Sequence, residues 1–116
     1  MQHITIYGIK NCDTMQKAFH WLNAKGVGYT FHDYKKSGVS EELLLDWFKH
    51  LAIGDLINKR GTTWKKCTEE EQMSISDPKK AIELIIQNPS ILKRPLIHSG
   101  KTYLLGFDEA EWSELF

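Results

Sequence analysis

Apolar residues gather at Ile4, Ile6 and Tyr7 in a short β-type run that Gly8 closes. Its alternation is weak, as in a strand covered on both faces. Over 12–25 the spacing becomes helical, with Met15, Ala18, Phe19, Leu22 and Ala24 on the apolar side. Gly26 and Gly28 follow where a C-terminal helix cap is wanted. Residues 29–34 alternate again and are rich in aromatics, which predicts a second strand. Ser37-Gly38 reads as a turn. Ser40 reads as the N-cap of a helix with Leu43, Leu44, Trp47, Phe48 and Leu51 on its apolar face. A short helix over 54–58, a loop over 60–64 and a short helix over 69–74 are expected next. Asp77-Pro78 has the N-cap and first-position signature of a helix running through Ala81, Leu84, Ile85 and Ile86 to Pro89. Leu96-Ile97-His98 and Thr102–Leu105 flank Ser99-Gly100-Lys101, a predicted hairpin, and 108–116 closes the chain as a helix.

The predicted order is therefore β-α-β, a helical stretch, then β-β-α. A helical crossover makes the first two strands parallel, and a tight turn makes the last two antiparallel. This α/β arrangement is that of a thioredoxin-like fold, with a mixed central sheet and a helical insert between the halves. A length of 116 residues suits one domain. Its core is expected at about 1–38 and 90–116, with the insert at about 39–89.

Hydrophobic residues make up 41% of the chain, too many for a disordered one. Fifteen basic and fifteen acidic residues cancel, which argues against a general nucleic-acid or membrane-surface binder. No apolar stretch has the length of a membrane span. Met1-Gln2-His3-Ile4-Thr5-Ile6 lacks the basic-then-apolar order of a signal peptide and reads as part of the first strand. A cytoplasmic location is expected, where Cys12 and Cys67 are free thiols rather than a structural bridge. His3, His20, His32, His50 and His98 show no metal-ligand spacing, so no metal is expected.

Cys12 carries the most chemistry. It follows a strand and a short polar loop and opens a helix, where first-turn amides lack helical partners. Those amides and the helix dipole favour thiolate over thiol, and the thiolate is the nucleophile. The other reading is a small buried hydrophobe, set against the polar neighbours Asn11, Asp13 and Thr14. Arg60, beside Gly61, Thr62 and Thr63, and Arg94, before Pro95, could clamp an anion with forked hydrogen bonds. By spacing alone the solvated or salt-bridged surface arginine is the favoured reading of each, and Pro95 reads as an ordinary trans proline. Trp21, Trp47, Trp64 and Trp112 read as core or core-edge anchors, with walling of the site as the other reading of Trp64. Cys67 reads as packing or as a thiol that resolves an oxidised Cys12.

Three segments together resemble the arsenate reductase (ArsC) family: Tyr7-Gly8-Ile9-Lys10-Asn11-Cys12-Asp13-Thr14, Arg60-Gly61-Thr62-Thr63-Trp64 and Lys93-Arg94-Pro95-Leu96. The likeness is nearest the YffB-like branch, beside the Spx regulators, and runs from Ile4 to about Phe116. It implies that Cys12 is the catalytic nucleophile and that Arg60 and Arg94 bind an oxyanion. It also implies a cis Pro95 facing the cysteine, with Asn11 and Pro95 in the substrate-binding set. Lys10 and Lys93 would add positive potential for an anionic thiol, unless they are simply solvated. No bound cofactor is implied. Glutathione is the expected co-substrate, and glutathione or a glutaredoxin-like reductant the expected partner of a monomer acting on a small anionic or thiol substrate.

Two departures from the family matter. The reductases carry a third arginine near the last hairpin, where this chain has Leu104-Leu105-Gly106-Phe107, with Gly106 at about that position. Spx regulators typically have Cys-x-x-Cys, whereas Cys12-Asp13-Thr14-Met15 lacks the second cysteine. The resemblance thus implies first a glutathione-dependent thiol reductase. The alternatives are an arsenate reductase coupled to glutathione and glutaredoxin, and a non-enzymatic, Spx-like regulator that binds RNA polymerase.

Overall fold

The computed structural model describes residues 3–116, so Met1 and Gln2 of the expected first strand lie outside the described residues. The chain divides into two compact units, one reaching to Asp33 and resuming at Arg94, the other spanning Tyr34–Lys93.

The first unit holds β1 (Ile4–Gly8), α1 (Asp13–Ala24), β2 (Tyr29–Asp33), β3 (Leu96–Ser99), β4 (Thr102–Leu105) and α8 (Glu109–Leu115). The strands form one sheet in the order β2-β1-β3-β4. β1 runs parallel to β2, with Ile6 opposite Phe31, and antiparallel to β3, with Ile6 opposite Ile97. β3 and β4 form the expected hairpin, and its Gly100 has a φ of +56°. This is the thioredoxin-like order and mixed sheet read from the chain. β1 lies inside the sheet, and its side chains are buried at Ile4, Ile6 and Tyr7, which explains its near-continuous apolar run.

Met15, Ala18 and Leu22 of α1 pack with Ile4, Ile6, Ile97 and Trp112 in the core of this unit. Their spacing of three and four residues is what lets one helix stripe face the sheet. Trp112 of α8 is fully buried and meets Phe107 edge-on at 4.7 Å and Trp21 at 5.6 Å. Its indole N–H has no hydrogen-bond partner among the described residues. The surrounding rings offer only the weak acceptor of an aromatic face.

The second unit is helical: α2 (Tyr34–Ser37), α3 (Glu41–His50), α4 (Ile53–Leu56), α5 (Thr62–Lys66), α6 (Glu69–Ser74), α7 (Pro78–Gln87) and a 3-10 turn over Pro89–Ile91. Ser40 caps α3 by accepting from the Leu43 amide at 3.1 Å. Thr68 and Glu71 form a reciprocal capping box on α6, and Asp77 accepts from Lys79 N to cap α7, with Pro78 in its first turn. Leu44, Trp47, Leu56, Ile57, Ile85 and Ile91 are among its fully buried side chains.

Three local expectations change. Tyr34 starts α2 instead of ending β2, and Gly38, with φ +67°, follows the helix where a turn was expected. The short helix at 54–58 is Ile53–Leu56. The expected loop at 60–64 holds only to Gly61, because Thr62 begins α5. Two β-branched threonines weaken the helix signal there, but burial of Trp64 supplies a tertiary contact that local propensity omits.

Candidate active site

β1 delivers the chain to Gly8, and the turn through Ile9, Lys10 and Asn11 places Cys12 at the start of α1. The Lys10 carbonyl folds this turn by accepting from the Cys12 amide at 3.1 Å and from Gln16 Nε2 at 2.8 Å. Cys12 is the N-cap residue, extended at φ −147° and ψ 130°, and its carbonyl accepts the first helical bond from Gln16 at 3.0 Å. The sulfur is partly buried and rests against the core of its unit.

Burial by itself pushes the Cys12 thiol up. The Met15 amide, a hydrogen bond from the Arg94 side chain, the Thr14 amide and the charge of Arg94 outweigh it, so the thiol is more acidic than usual. The sulfur closes no strict cap hydrogen bond. The two observations concern different species: a neutral thiol is a weak acceptor, whereas the field of unpaired first-turn amides acts on a thiolate at longer range.

Arg94 follows directly on the second unit and returns the chain to the sheet, and the Arg94–Pro95 bond is cis. The Pro95 carbonyl accepts from the Gly106 amide at 2.8 Å, tying the approach to β3 to the end of β4. Within the first unit the fold thus brings Arg94 to Cys12. Pro95 is buried, and Asn11 is exposed in the turn before the sulfur.

Arg60 belongs to the second unit, in the segment between α4 and α5. Asn58 shapes that segment by accepting from the Arg60 amide at 3.3 Å and, through its carbonyl, from Gly61 at 3.1 Å. Residues 56–58 are in turn pinned to 91–93, by Asn58 N to Ile91 O and Lys93 N to Leu56 O, both at 2.7 Å. The result is a cavity of about 460 Å³ lined in part by Asp55, Asn58, Lys59, Arg60 and Lys93. Three cations against one carboxylate suit an anionic group there. Sequence reasoning missed Lys59 and Asn58. The basic run Lys59-Arg60 was a readable signal, but Lys93 joins it only through the backbone pairing of distant segments.

Cys67 donates its thiol to the Thr63 carbonyl at 3.5 Å, and burial followed by the nearby Glu71 pushes it up. Both effects favour its neutral form. Trp64 is buried in the second unit and accepts at its carbonyl from Gln72, which is the anchoring role. Among the described residues no group of His, Cys, Asp and Glu could hold a metal ion.

The sequence profile of the ArsC family matches residues 7–115. The chain belongs to the ArsC family. Among solved structures, a YffB protein superposes with a TM-score of 0.88 at 40% identity, over 96% of each chain. A Brucella melitensis protein described as arsenate reductase (ArsC) related gives 0.77 at 42% identity, over 97% of this chain and 92% of that one. The global transcriptional regulator Spx of Streptococcus mutans is 32% identical over 111 residues, covering 93% of this chain and 79% of its own. This ArsC-family chain is thus similar both to reductase-related proteins and to a regulator, on one shared thioredoxin-like framework.

Proposed function

We propose that this ArsC-family protein is a cytoplasmic, glutathione-dependent thiol oxidoreductase whose nucleophile is Cys12. The observation that carries the reading is a cysteine at a helix N-cap, made acidic by the Met15 and Thr14 amides and by Arg94. The Cys12 thiolate attacks a glutathionylated disulfide, so that a Cys12–glutathione bond forms and the substrate's S–S bond breaks, releasing its thiolate. A second glutathione thiolate then attacks the mixed disulfide, freeing Cys12 and leaving oxidised glutathione. The substrate sulfur is reduced to a thiol and one glutathione thiol is oxidised, the other half of the oxidised glutathione having come from the substrate's mixed disulfide, with no bound cofactor or metal. Arg94 stabilises the sulfur anion, and Arg60 is the second arginine assigned to the anionic substrate or glutathione. Asn11 and the Pro95 backbone complete the substrate-binding set.

Intact-mass measurement after exposure to oxidised glutathione tests this. One glutathione adduct is expected on the wild type and none on Cys12→Ser; an adduct that survives the substitution refutes the assignment. Arsenate as substrate is the variant of this reading that shares Cys12 and both arginines. Gly106, where the reductases have a third arginine, counts against it, and turnover coupled to glutathione and glutaredoxin decides it.

The 32% identity to Spx favours a second reading, a regulator that binds RNA polymerase. Met15 in place of a second cysteine counts against a redox switch at Cys12. Immobilised protein that retains no polymerase subunit from a lysate removes that reading.

A further inference from the structure

Gly8 ends β1 with no positive φ, so its backbone does not demand glycine. Space does. A Cβ built there would lie 2.5 Å from Met15 Sδ, 2.6 Å from Met15 Cε and 3.3 Å from Arg94 Cβ. Met15 is fully buried among Ile4, Ile6 and Ile97, so its thioether has little room to withdraw from an added methyl. Arg94 Cβ is bonded directly to the backbone and can move only with it. These two residues are also the ones that stabilise the anion: Met15 through its amide at the third helical position, Arg94 through its guanidinium.

We propose that Gly8 is a positioning residue for the Cys12 site, the bare backbone against which the Met15 side chain and the Arg94 stem both seat, setting where the Met15 amide and the guanidinium face the sulfur. The inference rests on the reading of Cys12 as a thiolate nucleophile. Gly8 acts through Met15 and Arg94 and carries no side chain to act on the sulfur itself. A side chain there pushes α1 by its first turn and Arg94 by its stem, away from the geometry that favours the anion. Glycine at this position is therefore a requirement of the chemistry as well as of packing.

The test compares the wild type, Gly8→Ala, Met15→Ala and the double variant, through the pH profile of Cys12 alkylation by iodoacetamide. A purely structural role for Gly8 would lower the melting temperature and leave the profile midpoint in place. We expect Gly8→Ala to raise the midpoint and to slow alkylation at about pH 6 by roughly threefold or more. Removing the Met15 side chain opens most of the space, so the double variant should recover towards Met15→Ala but stay measurably above it, held off by the remaining Arg94 contact. A folded Gly8→Ala with the wild-type midpoint overturns the inference, as does a double variant that shows no recovery. If Gly8→Ala does not fold, the double variant against Met15→Ala decides: the remaining Arg94 contact should still raise the midpoint, and equal midpoints overturn the inference. A double variant that also fails to fold overturns it, because relief of the Met15 overlap was then not the reason for glycine. A wild-type midpoint at the ordinary thiol value sinks the functional reading and this inference together, whereas a lowered midpoint that ignores Gly8 sinks this inference alone.

Discussion

Replacing Arg94 by Met keeps an unbranched stem beside Gly8 and removes the charge from the Cys12 sulfur. A hydrogen bond to a charged acceptor is worth about 1.5–3 kcal/mol, and a partly exposed sulfur retains the lower end of that range, about 1.5 kcal/mol. At about 1.4 kcal/mol per factor of ten, the variant loses roughly tenfold in thiolate fraction at acid pH. A less acidic thiol is a better nucleophile once ionised, by about threefold for each tenfold loss of acidity. The two effects oppose each other, and the outcome is a pair of crossing curves. With a small neutral disulfide such as dithiodipyridine, Arg94→Met should react about threefold more slowly than the wild type at low pH and about threefold faster at high pH. Stopped-flow absorbance over the pH range reads both limbs. A neutral probe matters, because an anionic one would also lose attraction to the guanidinium. A variant slower by one constant factor at every pH would refute the claim that Arg94 acts through ionisation of Cys12.

The lowered pKa of Cys12 also has a sign in stability. A group whose pKa is lower in the folded state adds stability that is full above the unfolded value and fades as pH falls through the folded one. The stability difference between wild type and Cys12→Ser should therefore grow as pH rises towards the ordinary 9.0 of a thiol, as urea titrations at stepped pH will read. Cys67, pushed the other way, should alkylate more slowly than Cys12 at neutral pH, and peptide mapping after limiting iodoacetamide should find the label on Cys12 first. Trp112→Ala should cost about 3–5 kcal/mol in urea unfolding, and Trp112→Phe much less, since it also deletes an indole N–H with no partner among the described residues. Ser40→Ala removes the α3 cap and should cost about 1 kcal/mol by the same measurement.

Element type was legible in the chain wherever one local rule dominated. Ser40 and Asp77 mark helix starts because their side chains satisfy orphan amides, and both do so in the structure. The hairpin at Gly100 was readable for the same reason, a turn residue between two β-type runs. Segment 62–66 was not, because Thr62-Thr63 carries little helix propensity and the deciding contribution is the burial of Trp64. At the site, Cys12 was legible as a helix-opening cysteine after a strand. Spacing alone did not distinguish Arg94 from a surface arginine; the family resemblance singled it out, and the return of the chain to the sheet brings it to the sulfur. The clustering of Lys93 with Lys59 and Arg60 depends on pairing between residues 56–58 and 91–93, a long-range event that no local pattern encodes. Gly8 was read only as a strand end, since nothing in a sequence shows a thioether lying where a Cβ would go.

The left-handed residue after β4 has a bearing on how this chain could change. Gly106 sits at φ +81°, and a Cβ added there would meet no atom within 4 Å. An arginine at that point would find open room but would carry a backbone penalty of about 1–2 kcal/mol, which glycine escapes. Its amide is also committed to the Pro95 carbonyl at 2.8 Å, so straightening the turn to relieve the penalty would disturb the approach to β3 beside Arg94. Gaining a third guanidinium at this corner is therefore a change of loop conformation as well as of side chain. A substitution there that leaves the turn in place would thus spend part of the fold's stability margin, whereas one that rearranges it would move the strand that carries the chain away from Arg94.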